Sequence, residues 1–134
     1  MKRLSVIILA VMLVLCMGCS SKKTSDENKT PVDFTVVEKE SIPEELLTMI
    51  DEKKTEEFAF TFGMEGYLYI AKGYGTQATG GYSIRVDSLM ESDAGISFHT
   101  TLIGPSAGEA VNKMSTYPYI VIKIEYTDKN ITFE

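Results

Sequence analysis

Glu57-Phe58-Ala59-Phe60-Thr61-Phe62-Gly63-Met64-Glu65-Gly66-Tyr67-Leu68-Tyr69-Ile70-Ala71-Lys72 decides the fold class. Side chains alternate between the two faces of an extended chain. Phe58, Phe60 and Phe62 therefore share one face, and Ala59 and Thr61 the other, a period that a helix does not produce. Gly63 to Gly66, with glycine at both ends, reads as the turn of a hairpin. The second arm, Tyr67 to Lys72, sets Leu68 and Ile70 against Tyr67, Tyr69 and Ala71.

The same period extends outward from this hairpin. Asp33 to Glu38 reads as a short first strand. Tyr82 to Ser88 turns Ile84 and Val86 inward, and Leu89 to Ala94 reads as a tight turn. Gly95 to Ile103 sets Ile96, Phe98 and Leu102 on one face. Tyr117 to Tyr126 is the longest run, with Ile120, Ile122, Ile124 and Tyr126 on one face and Lys123 and Glu125 on the other. Asn130 to Phe133 returns through the turn Thr127-Asp128-Lys129. The fold class is mainly β, an antiparallel sandwich or barrel-like sheet of about seven strands with one wet face. One short helix interrupts it. Ser41-Ile42-Pro43-Glu44 has the form of a capping box with proline in the first turn. Leu46, Leu47 and Ile50 follow as a narrow apolar stripe.

The start of the chain is of another kind. Met1-Lys2-Arg3 precedes an apolar run from Leu4 to Leu15, then Cys16-Met17-Gly18-Cys19. A basic start, an apolar stretch and a small residue form a secretory signal over residues 1–18. The run is about twelve residues, whereas a spanning helix needs roughly 20. Gly18-Cys19 resembles a bacterial lipobox, which implies that Cys19 carries a lipid and opens the mature protein. Two acyl chains on one residue anchor a protein durably. Cys16 leaves with the signal, so no thiol remains for a disulfide or a nucleophile. The expectation is an exported protein, lipid-anchored to a bacterial membrane and extracytoplasmic. It touches the membrane through the lipid alone.

Residues 19–31 contain Ser20 to Pro31, too polar to bury enough surface against ordering entropy, and read as a flexible tether. Residues 32–134 make one domain of ordinary size. The 13 basic and 19 acidic residues give a net charge of −6. Without clustered Lys and Arg, nucleic acid is excluded as a partner.

Two connections exceed hairpin length, which is about 2–5 residues. Gly73 to Gly81 joins the third and fourth strands, and Gly104 to Thr116 the fifth and sixth. If neighbouring strands are antiparallel, both loops emerge at one pole. Long loops on a rigid β scaffold are where binding concentrates. The candidate binding residues are Thr79, Gly80, Gly81 and Tyr82 from the first loop, Gly104 and Pro105 from the second, and Tyr117, Pro118 and Tyr119 at the following strand entry. Tyr74, Tyr82, Tyr117 and Tyr119 are expected to form an aromatic patch there, tyrosine offering large contact area at low entropy cost.

No catalytic set is evident. His99, the single histidine, lies mid-strand on the wet face with no nucleophile or orienting carboxylate in recognisable context. No Cys/His set matches zinc, no acidic run has calcium-loop spacing, and no P-loop is present. The expectation is a non-enzymatic protein without a metal or cofactor.

Tyr67-Leu68-Tyr69-Ile70-Ala71, Gly75 to Ile84 and Thr116 to Lys123 together resemble the PrcB C-terminal domain family. That family is named after a lipoprotein subunit of a spirochaete chymotrypsin-like protease complex, where it is associated with complex stability. The resemblance implies a β-rich, exported, non-enzymatic protein that binds a protein partner, an exported protease among the candidates. A second resemblance runs through Gln77-Ala78-Thr79-Gly80-Gly81-Tyr82 to chagasin-type peptidase inhibitors, immunoglobulin-like sandwiches. It implies inhibition through the Gly73–Gly81 loop. This chain lacks that family's asparagine and proline there, and has no tryptophan.

Overall fold

The structure is a computed structural model and describes residues 28–134. The expected signal at 1–18 and the expected lipidation residue Cys19 lie outside the described residues. Eight strands and one helix follow in the order β1 Thr30–Pro31, β2 Thr35–Val36, α1 Glu44–Lys53, β3 Glu57–Met64, β4 Tyr67–Tyr74, β5 Ser83–Ser92, β6 Gly95–Ile103, β7 Tyr119–Glu125 and β8 Ile131–Phe133. They form two four-stranded sheets and no closed barrel, so the architecture is a sandwich. The outer sheet has the order β1-β5-β6-β8, and the inner sheet β2-β7-β4-β3.

The hairpin that decides the fold class pairs in the expected register, Phe58 opposite Gly73, Phe60 opposite Ala71 and Phe62 opposite Tyr69. Its turn is tighter than expected. Gly63 and Met64 belong to β3, and only Glu65 and Gly66 connect the arms.

The expectation of a single wet face fails for the inner sheet. Leu68, Ile70, Ile122 and Ile124 pack between the sheets against Leu89, Ile96 and Phe98. The opposite face is covered by α1, whose Leu46 and Ile50 are wholly buried with Ile42 against Phe58, Tyr69, Ala71 and Val121. The result is three layers, helix on sheet on sheet. Each wholly buried Leu or Ile contributes about 2 kcal/mol of transfer free energy.

The helix does not start with a serine cap. Ser41 ends a helical turn, Lys39–Ser41, and Pro43 occupies the cap position without a side-chain hydrogen bond. Proline cannot donate a backbone hydrogen bond, so nothing is lost where the first helical N–H groups lack partners anyway. Glu44 and Glu45 stand in the first turn, where the helix dipole favours negative charge.

Further strand boundaries and pairings differ from the sequence reading. Asp33 to Glu38 is not one strand; the chain crosses from β1 in the outer sheet to β2 in the inner one, leaving Phe34 39% exposed at the crossing. Thr30 and Pro31, at the end of the expected tether, pair with Glu91 and Met90. β5 continues through Leu89 to Ser92, so the turn is only Asp93-Ala94. A bulge at Asp87, between the pairs Val86–Thr100 and Ser88–His99, moves the inward face from even to odd positions and lets Leu89 oppose Phe98. β7 has seven residues and β5 ten, so β7 is not the longest, and Tyr126, expected on its apolar face, lies past its end and is 62% exposed. β8 does not return beside β7, because both edges of β7 are taken by β2 and β4. It crosses to the outer sheet and pairs parallel with β6.

Candidate functional site

The ends of β4 and β6 and the starts of β5 and β7 meet at one pole, Ser83 opposite Ile103 and Gly73 opposite Tyr119. The two long loops therefore emerge together, and they are joined by backbone bonds. Gln77 and Thr116 exchange N–H···O bonds of 2.8 and 3.0 Å, and Gly80 N–H donates to the Asn112 carbonyl at 2.8 Å. The Thr116 hydroxyl donates to the Thr79 carbonyl at 2.7 Å. Thr76 fastens the first loop to the segment after α1, its N–H and hydroxyl both donating to the Thr55 carbonyl.

Side chains close the remaining space. Gly81 has φ +87°, a region that L side chains avoid. A Cβ there would stand 3.0 Å from Val111 Cγ1 and 3.1 Å from Pro105 Cβ. The Tyr82 ring lies over Gly104, within 3.3 Å of where a Cβ would be. Thr79, Gly80, Gly81, Tyr82, Gly104 and Pro105 are thus brought together. Pro118 marks the entry of β7 and accepts the Tyr74 N–H at 3.0 Å. Ile103, 40% exposed, and Met114, 66% exposed, add apolar surface in and beside the second loop.

The four tyrosines do not form one patch. The Tyr74 hydroxyl pairs with the Thr100 hydroxyl at 2.5 Å, bridging the sheets and satisfying the buried threonine. Tyr117 lies under Lys54 Nζ, 5.1 Å from the ring centre. Tyr119 is on the helix-covered face, 6.5 Å from the Phe58 ring. Burial, and then the charge of Asp51, push its phenol pKa up. Tyr82 alone of the four stays between the loops. Val111 and Asn112 complete the junction with Thr116; these two carry no residue-type signature, because they contribute packing and a backbone carbonyl, whereas Thr116 marks the end of the second loop in the sequence. The one available signal was the length match between two loops that parity places at one pole.

Elsewhere the polar groups form local pairs. Glu57 accepts from Lys72 Nζ at 2.7 Å, and that hydrogen bond holds its carboxyl below the usual glutamate range. On the outer face, Asp87 accepts from the Thr101 hydroxyl at 2.5 Å and from Arg85 Nε at 2.7 Å. His99 Nε2 stands 3.8 Å from the same carboxylate, with half its side chain exposed. Among the described residues no group of three or more His, Cys, Asp or Glu is placed to hold a metal ion. No described helix is long and apolar enough to cross a membrane.

The hydrogen bonds from Thr101 and then Arg85 hold Asp87 more acidic in the fold than an ordinary aspartate. A depressed carboxyl contributes stability above its unfolded pKa and loses it as pH falls through the folded value. Asp87→Asn should therefore flatten the fall of the thermal midpoint on acidification below the usual aspartate range. Superimposable acid limbs for the two proteins would show that this carboxylate is not linked to folding.

The fold and its pole define a two-sheet β sandwich with one covering helix and a preformed junction of two loops. Residues 68–125 match the family described as PrcB C-terminal, and the resemblance read from the sequence holds over that stretch. The match runs from β4 to β7 and includes both loops. No curated protein and no solved structure matches the chain.

Proposed function

We propose that this chain is a non-enzymatic surface lipoprotein whose loop pole binds a protein partner and stabilises an exported protease or a comparable assembly. The observation that carries the reading is the bonded junction of the two loops. A surface already held in one conformation binds without the ordering entropy that separate loops would lose. The direction of the chain supports it as well. Thr30 pairs with Glu91 near the Asp93-Ala94 turn, at the pole opposite the loops. A tether entering there presents the loops away from the membrane.

The test uses the lipidated chain as bait, recovered from membranes with labelled palmitate on Cys19. The wild type retains an envelope protein that Gly81→Ala and Tyr82→Ala release. An alanine at Gly81 costs about 1–2 kcal/mol in backbone strain alone, besides pressing on Val111 and Pro105. Partner retention should fall about tenfold or more for that strain, while the far-ultraviolet circular dichroism keeps its β signature. Equal retention by both variants would remove the pole from the reading. Inhibition of a cysteine peptidase by the wild type, lost in the same variants, would replace the assembly role with the inhibitor role.

A further inference from the structure

β3 is an outermost strand eight residues long, whereas β1 and β2, on the opposite side of the sandwich, have two each. Long bare edges recruit other strands through their unpaired backbone groups, and folds ordinarily shorten or cover them. The free groups on β3 can be identified. Tyr74 N–H bonds to Pro118 and Tyr126 N–H to Gly66, so the even-numbered residues of β4 bond toward β7 and the odd-numbered ones toward β3. With Phe58 opposite Gly73 and Phe60 opposite Ala71, the phenylalanine backbones are the ones bonded to β4. Glu57, Ala59, Thr61 and Gly63 direct their N–H and C=O groups outward.

The two flanks of this row differ in chemistry. Toward the outer sheet, an open cleft of about 1040 Å³ separates β3 from β8, with Leu68, Tyr126, Ile131 and Phe133 in its wall. At the β3 rim Thr61 carries a small side chain and Gly63 carries none, its open side facing the Tyr126 ring. Toward the helix the flank is acidic. Glu44 and Glu45 line a hollow beside Met64, and Glu52 and Glu56 line another beside Phe58, with Lys53 as the basic residue among them.

We propose that the edge of β3 accepts an extended segment of another polypeptide, in which Lys or Arg alternate with apolar residues. Alternation in a strand sends the basic side chains to the glutamates and the apolar ones into the cleft, while backbone bonds form to Glu57, Ala59, Thr61 and Gly63. A second copy of this chain fits less well. Pairing β3 with itself across a two-fold axis brings two acidic helix flanks face to face. Both α1 and β3 lie outside the matched residues 68–125, and the acidic flank adjoins the first loop where Thr76 bonds to the Thr55 carbonyl.

The probe is a synthetic peptide of alternating lysine and valine, added to the full chain and read by amide hydrogen exchange. Exchange should slow at Glu57, Ala59, Thr61 and Gly63. N-methylating alternate peptide amides should weaken binding about tenfold, the equivalent of losing one or two net hydrogen bonds. Glutamate in place of the peptide lysines should abolish binding. The exposed pair Glu45→Gln and Glu52→Gln should weaken it and reduce its salt dependence without changing the thermal midpoint. The proposal is overturned by binding that N-methylation does not affect, by protection confined to the loops, or by no slowing at about 1 mM peptide, the weakest useful affinity. Protection of the same amides in the free chain, rising with protein concentration, would make a second copy the occupant and overturn it too.

Discussion

Phe98→Ala should remove about 4 kcal/mol of stability, within the range for deleting a buried phenylalanine. Phe98 is the largest wholly buried side chain, 1% exposed. It opposes Leu89 across β5 and shares its cluster with Ile70 and Ile122 of the inner sheet. Its ring meets the Phe133 ring edge-on, 6.2 Å between centres. The space left by truncation lies between two sheets whose spacing is set by every other pair in the layer, so it cannot collapse. A second effect follows at β8. The Phe98 carbonyl accepts the Glu134 N–H at 2.9 Å, and Phe133 loses its ring partner. Urea unfolding should show the lower midpoint, and amide exchange should show β8 opening before the rest. Total stability of such a domain is about 5–15 kcal/mol, so the variant is marginal at best. A loss under about 1 kcal/mol would mean that the layer relaxes around the gap, against the close packing inferred here.

What the residues reveal before the fold is seen depends on how local the determining contact is. The β3–β4 hairpin, the inward faces of β6 and β7 and the apolar stripe of α1 follow from side-chain period, a property of neighbours in sequence. β4 was harder to read. Its Tyr67, Tyr69 and Ala71 face suits wet or buried surroundings alike, and the docking of Leu46 and Ile50 buries Tyr69 and Ala71 while Tyr67 stays exposed. The Asp87 bulge reverses the alternation in the middle of β5, so a strand that continues looks like a strand that ends. The parallel placement of β8 depends on which edges are already occupied, which no local pattern carries. At the candidate site, parity placed both loops at one pole and glycine marked Gly81. Most bonds that join the loops run from backbone to backbone, the Thr116 hydroxyl excepted, so Asn112 carries no visible sign of its position, and Val111 enters only through its contact beside Gly81.

The division between matched and unmatched residues bears on function. The family match spans the strands that carry both loops, while the helix and the strand with the bare edge fall outside it. The two parts meet where the segment after α1 bonds to the first loop, through Thr55 and Thr76.

Gly73→Ala should destabilise the protein by about 3 kcal/mol, the upper part of the range for overpacking a filled core. A Cβ at Gly73 would fall 2.1 Å from Phe58 Cε1, 2.5 Å from Cδ1 and 2.6 Å from Cζ. The ring of Phe58 lies flat over the glycine of the opposing strand, a pairing in which the aromatic covers backbone that would otherwise be bare. The ring has little room to leave. Phe58 is 8% exposed, with the Phe60 ring 5.5 Å and the Tyr119 ring 6.5 Å away. Gly73 is not at positive φ, so alanine adds no backbone strain and the whole effect is steric. That makes it separable by a double-mutant cycle. Phe58→Ala alone removes about 3–4 kcal/mol, and adding Gly73→Ala to it should cost little more, because the Cβ then enters the space the ring vacated. Strong sub-additivity in urea unfolding is the expected result, since contacting residues couple. Additive losses would mean that β4 moves away from β3 instead. That movement would press Tyr74 toward Pro118 on the β7 side and disturb the loop that starts there, so the same pair of variants tells whether the glycine serves the core alone or the pole as well.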